Sequence, residues 1–264
     1  MLKKILILVS YVMLISKSHA EIIELQNAKE ILKYTTDLTK NDLISFDVKN
    51  VLFEPKDLIL RANNKKEMKN YFLQLEQELG KEEAARLDSI LTASYKPILV
   101  DKDMPFVVRE LQMRGVRVIA LTSGKIGKYF DIKSLENLRI MRLKRLDFDF
   151  SNSFPNFPEI KFYDQDKDVN FSFNSGVLFT SRVSKGKVIP VFLNRTQFKP
   201  SKIVHVDNVM KKLIAVQDFC AKNNIKFLGL HFTKSYLKDT KIDKALSDKK
   251  FEILKKEKRW PSDL

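Results

Sequence analysis

Residues Leu43 to Leu52, LISFDVKNVL, constrain the fold more than any other stretch of the chain. Leu43, Ile44, Ser45 and Phe46 lack the apolar–polar alternation of a half-exposed strand. They read as a strand buried on both faces, the kind found inside parallel sheets. Such a strand needs helices on both sides of its sheet. Asp47 stands at its carboxyl end, and a turn follows at once. That edge is where open α/β sheets bind ligands, so Asp47 is a candidate nucleophile or metal ligand.

The rest of the chain repeats the pattern. Val116–Leu121 and Lys202–Val206 are apolar runs ending at Thr122-Ser123-Gly124 and Asp207-Asn208, and Ile225–Leu230 is a further strand. Helical spacing covers 65–79, 82–92, 105–114, 134–146 and 210–222, with Gly115 as a stop signal. Strands alternating with helices predict a three-layer, doubly wound, mostly parallel α/β sheet. The first two helices predict a small helical insert over about 61–100. Several weaker segments carry expectations too. Residues 21–40 read as a leading helix, and 51–60 as a β-hairpin around Glu54-Pro55-Lys56-Asp57. Residues 148–173 read as an irregular excursion, 176–180 and 187–191 as short extended pieces, and the end of the chain as a basic tail.

Met1–Ala20 has a charged start (Lys3, Lys4), an apolar centre and a small-residue exit, Ser18-His19-Ala20. This is the layout of a secretory signal peptide, with residues 21–264 as the exported domain, periplasmic or secreted. The apolar run is shorter than the ~20 residues of a membrane span, and no later stretch reaches that length. Formal net charge is +15, or +12 without the three lysines of the leader. The basic residues are scattered and form no dense, aromatic-interleaved run, which argues against nucleic acid as partner. A single cysteine, Cys220, excludes an internal disulfide framework and reads as a buried thiol. His205, His231 and Cys220 have no zinc-site spacing. Asp101 and Asp103 read as helix caps. Asp164, Asp166 and Asp168 lack the glycine and terminal Glu of a calcium loop and read as solvated.

Parallel strands place their carboxyl ends on one edge, so Asp47, Thr122 and Asp207 can meet. Lys187 precedes Asp207 by 20 positions and can reach the same edge. Carboxylate, hydroxyl, ammonium and second carboxylate together supply a nucleophile, two groups for phosphoryl oxygens and a ligand for a hard cation.

In these residues the chain resembles the haloacid-dehalogenase-like (HAD-like) superfamily, and in particular an exported bacterial branch carrying a domain of unknown function. The family's Asp-x-Asp-x-Thr/Val-Leu motif stands here as Asp47-Val48-Lys49-Asn50-Val51-Leu52. Its second motif stands as Val118-Ile119-Ala120-Leu121-Thr122. Its lysine is matched best by Lys187, with Lys185 as the fallback. Its acidic strand end is Val204-His205-Val206-Asp207-Asn208. The resemblance implies Asp47 as nucleophile, forming an aspartyl-phosphate. Thr122, Ser123 and Lys187 would grip the phosphate of a small phosphorylated substrate. Mg2+ would be held by Asp47, the Lys49 carbonyl and the Asp207-Asn208 pair, and the helical insert would act as a cap.

Two departures weaken that picture. Lys49 occupies the position of the acid–base Asp, and an ammonium with a pKa near 10.4 is a poor general base. Asn208 replaces an acid, so the Mg2+ site is weakened. Two functions follow as expectations: an exported Mg2+-dependent phosphomonoester hydrolase of low activity, and a catalytically inactive binding or interaction protein on the same fold.

Overall fold

The computed structural model describes residues 21–165, 168–237 and 241–264. Its elements begin with β1 (Glu21–Leu25), α1 (Glu30–Lys33), β2 (Leu43–Phe46) and β3 (Phe53–Pro55). Helices α2 (Lys65–Leu79) and α3 (Lys81–Ser94) follow, then β4 (Pro97–Leu99), α4 (Met104–Met113), β5 (Arg117–Thr122) and α5 (Leu135–Arg145). Next come β6 (Glu159–Asp164), β7 (Val169–Asn174), β8 (Val177–Phe179) and α6 (Lys185–Thr196). The chain ends with β9 (Lys202–Asp207), α7 (Met210–Lys222), β10 (Lys226–Phe232) and α8 (Lys244–Glu257). Eight strands form one sheet, ordered β1-β10-β9-β2-β5-β8-β7-β6. It is parallel from β1 through β8, and β7 and β6 add antiparallel at one end.

Side-chain alternation along the strands builds two cores. Ile44, Phe46, Val118, Ala120, Val204 and Val206 face one side, under α1, α4 and α5. Leu43, Ile119, Leu121 and Ile203 face the other, under α6 and α7. The predicted three-layer, doubly wound sheet is what the chain forms. Cys220 lies in the second core, where burial pushes its thiol pKa up to about 12.

Five local expectations need correction. Residues 21–25 form an edge strand paired with β10, not a helix. EIIEL suits either period, but Ile22 and Ile23 point into opposite cores, as only a strand allows. The expected hairpin at 51–60 does not form. β3 pairs antiparallel with β4, more than forty residues on, and Leu58–Leu60 is a 3-10 turn. Within 148–173, β6 and β7 make a hairpin locked by Phe162 stacked on Phe171, with ring centroids 4.7 Å apart. Residues 187–191 lie inside helix α6, whose Pro190 sits in its second turn. The C-terminal tail contains α8.

α8 changes the meaning of the helical insert. Leu75, Leu87 and Leu91 of α2 and α3 share a core with Phe251, Leu254 and Trp260 of the C-terminal segment. Tyr71 stacks on Phe251 at 4.1 Å. Asp57 at the base of the insert accepts from Trp260 Nε1 at 2.9 Å and pairs with the buried Lys250 ammonium. The insert is therefore a three-helix unit, one helix of which comes from the far end of the sequence. Among the described residues, no helix is long and apolar enough to cross a membrane.

Candidate active site at the carboxyl edge of the sheet

β2 and β9 are neighbours in parallel register, with Phe46 opposite Val206. Asp47 and Asp207 therefore leave the sheet side by side. The Asp47 amide donates to the Val206 carbonyl at 2.8 Å, which extends the ladder to Asp47 itself. Asn50 takes a left-handed φ of +68°, and the Asn50 amide donates to the Phe53 carbonyl at 2.8 Å. Asn tolerates that region better than most residues, and the turn it allows swings Lys49 over the edge.

One ammonium joins the two acids. Lys185 Nζ lies 2.7 Å from Asp47 Oδ1 and 2.5 Å from Asp207 Oδ2, and the Lys185 side chain is 1 % exposed. Sequence matching favoured Lys187, which is exposed and takes no part in the site. An extended segment would have pointed 185 and 187 the same way. In a helix they diverge by roughly 200°, and only the first residue of α6 meets the edge. Gly186 lets this happen: a Cβ there would lie 2.0 Å from the Ala215 carbonyl oxygen of α7. The close approach of α6 to α7 sets Lys185 over the carboxylates.

A second lysine, not singled out in the sequence, completes the pairing. Lys212, in the first turn of α7, reaches to 3.4 Å from Asp47 Oδ1 and 3.7 Å from Asp207 Oδ1. Asp207 Oδ1 also accepts from the Val209 amide at 2.9 Å. His205 is the other unanticipated member. It sits two residues before Asp207, hence on the same face of β9, and opposite Ser45 on β2. Its Nδ1 lies 2.9 Å from Ser45 Oγ and 3.2 Å from the Ser45 carbonyl, and its Nε2 lies 3.2 Å from Asp207 Oδ2. Lys185 Nζ lies 3.4 Å from the same Nε2.

The charges shift one another. Burial opposes ionisation of Lys185, but Asp207 and Asp47 outweigh it, and its pKa is raised. Burial and then the Lys185 charge lower the pKa of His205, which stays neutral. Burial works against the Asp207 carboxylate too, yet Lys185, His205 and Lys212 hold it well below the usual carboxylate range. Lys49 is crowded by protein and then repelled by Arg139 and Lys65, which lowers its pKa, while Asp88 acts in the opposite sense. Its side chain still meets solvent, so water screens that shift.

Above the acids opens a cleft of about 430 Å³. Asp47, Lys49, Thr122, Ser123 and Asn208, all singled out in the sequence, line it with Arg139, Lys65 and Lys212, whereas Asp207 and Lys187 do not. Thr122 Oγ1 accepts from the Gly124 amide at 3.2 Å and from Arg139 Nη1 at 3.3 Å. Asp47 Oδ2 takes no hydrogen bond among the described residues and is the oxygen left to the cleft. Since Lys185 and Lys212 already match the two carboxylates, Lys49, Lys65 and Arg139 leave the cleft with excess positive charge. Its complement is an anion.

The same donors fit Mg2+ poorly. Among the described residues, no group of three or more His, Cys, Asp or Glu side chains could hold a metal ion. Among the described residues, buried Asn208 Oδ1 has no hydrogen-bond partner and could serve as one neutral ligand. Mg2+, however, needs near-octahedral oxygen coordination. Each ammonium about 4 Å from a dication adds roughly 8 kcal/mol of repulsion at an effective dielectric of 20. Lys185 and Lys212 both contact the two acids that would have to hold the ion.

Comparison with known proteins adds family membership. An "Uncharacterized protein" of Rickettsia felis is 30 % identical over 153 residues, covering 56 % of this chain and 52 % of the relative. The chain thus spans about half the length of the first rickettsial relatives it matches. A "Putative outer membrane protein" of Chlamydia trachomatis is 23 % identical over 233 residues, 84 % of this chain and 80 % of that protein. The crystal structure titled "putative haloacid dehalogenase-like hydrolase" from Burkholderia xenovorans overlaps 74 % of this chain and 85 % of its own, at 12 % identity and a TM-score of 0.40. That overlap is too loose to bear on function. A family model described as protein of unknown function (DUF2608) matches residues 24–263, almost the whole described chain, and the protein belongs to that family.

Proposed function

We propose that the chain is an exported HAD-like protein whose cleft receives a phosphomonoester over Asp47, and that it is a hydrolase of low turnover. The observation that carries this reading is the meeting of Asp47, Thr122, Lys185 and Asp207 at one sheet edge, beneath a cation-lined cleft. In the reaction, Asp47 Oδ2 forms a bond to phosphorus while the bond from phosphorus to the ester oxygen breaks. That oxygen takes a proton, for which the Lys49 ammonium is the donor at hand. Water then hydrolyses the aspartyl-phosphate. Here the chain is weak, because Lys49 stands where a carboxylate base would activate the water, and such help is typically worth about 10²–10⁴-fold. The leader sequence and the name carried by the chlamydial relative support export.

Lys49 also favours a second reading, in which the site binds phosphate esters without turning them over. Hydrolysis of p-nitrophenyl phosphate by the wild type and by Asp47→Asn separates the two. Turnover that disappears in the variant supports the hydrolase. Phosphate-induced thermal stabilisation with no turnover supports the binding protein. If neither inorganic phosphate nor p-nitrophenyl phosphate stabilises the wild type, both readings fail.

A further inference from the structure

We infer that the Lys212 ammonium takes the place of a divalent cation, making this a metal-independent site for a phosphate dianion. The inference rests on the phosphate reading in its choice of ligand, but not in its account of the cation. Three observations carry it. Lys212 Nζ bridges one oxygen of each acid, at 3.4 Å and 3.7 Å, as a shared cation would. It does so from the first turn of α7, where the helix dipole disfavours positive charge, so the two carboxylates must supply the compensation. It also lines the cleft and remains 29 % exposed, whereas Lys185, on the other side of the pair, is sealed off. The two lysines therefore differ in role. Lys185 neutralises the pair from within, while Lys212 presents its charge to whatever enters. A ligand phosphoryl group would meet Lys212, Lys49 and Arg139 with no ion between.

The test uses the full exported chain and two probes, Mn2+ alone and inorganic phosphate. Mn2+ binding is read by electron paramagnetic resonance. Wild type is expected to show no site, and Lys212→Asp to gain one. Asp is two atoms shorter than Lys, so its carboxylate vacates the position of the ammonium and adds a third acid. If the extra acid lowers the melting temperature of Lys212→Asp, Mn2+ restores it. Phosphate is expected to stabilise wild type equally in EDTA and in Mg2+, and Lys212→Gln to weaken that binding roughly tenfold or more. Stoichiometric Mn2+ binding by wild type would overturn the inference, as would a Lys212→Asp protein that binds no more Mn2+ than wild type. Should phosphate fail to bind at all, the phosphate reading falls, and the Mn2+ comparison still decides the place of Lys212.

Discussion

Lys185→Met puts the site's electrostatics to the most direct test. The substitution leaves an apolar side chain one atom shorter than that of Lys and deletes the charge between Asp47 and Asp207, both buried. Removing one partner from a buried pair typically costs about 3–5 kcal/mol, because the remaining charge is stranded. For a domain of this size each kcal/mol shifts the melting temperature by about 2–4 °C, so a fall of roughly 6–20 °C is expected at neutral pH. The pH dependence should also change sign. In wild type, the depressed pKa of Asp207 gives stability that is present above the ordinary carboxylate value and lost as pH falls through the folded value. Without Lys185, burial dominates and raises that pKa, so acidification from pH 7 to 5 should recover stability. Adding Asp207→Asn should recover at least ~1 kcal/mol of the loss, since the two sites are coupled. Urea unfolding at several pH values measures all three effects. A loss under about 1 kcal/mol, or an acid limb parallel to that of wild type, would refute the account of Lys185 as the charge that holds the pair.

Two other substitutions test how the site is positioned. Gly186→Ala should cost about 1–3 kcal/mol by denaturant unfolding, because its Cβ meets the Ala215 carbonyl oxygen at 2.0 Å; full stability would show that α6 and α7 are not in close contact. His205→Gln should flatten the stability profile just below pH 6.5. The lowered pKa of buried His205 means that stability is present above the ordinary histidine value and falls as acid protonates the unfolded chain first. An unchanged profile would mean that His205 does not stay neutral in the folded state.

The central sheet was legible because its strands are buried on both faces and its strand ends are punctuated. Leu43–Phe46, Val118–Thr122 and Ile203–Asp207 carry the same signal three times over, and the acids appear where parallel topology puts them together. Elements that escaped the sequence reading depend on distant partners. β1 becomes a strand because β10 offers an edge, β3 pairs with β4 across two helices, and the α2–α3 insert is completed by α8. Within the site, Lys185 rather than Lys187 meets the acids because 185–196 is helical and only its first residue faces the sheet edge. Packing on α7 makes 185–196 a helix despite Pro190 and the β-branched Val188 and Ile189. His205 could have been found from its two-residue spacing to Asp207. Lys212 and Arg139 reach the cleft from helices, and local sequence gives no sign of where such long side chains end.

One ammonium in place of one magnesium ion should leave this cleft better at holding phosphate than at transforming it. Only interactions that strengthen toward the transition state accelerate a reaction. Fixed single charges at Lys49, Lys212 and Arg139 favour the dianion already in its ground state. A carboxylate base acts only when water attacks, and Lys49 removes that contribution. The two departures should therefore be interdependent. Lys49→Asp alone supplies a base but leaves the Asp47–Asp207 pair bound to lysines, so divalent ions should not raise turnover of p-nitrophenyl phosphate. Lys212→Asp alone admits an ion but has no base, and should gain less than tenfold. Together they should gain more than the product of the single effects, approaching the 10²–10⁴-fold typical of general acid–base catalysis, and only when Mg2+ is present. If Lys49→Asp reached that range in EDTA, Lys212 could not be standing in for a cation the chemistry requires.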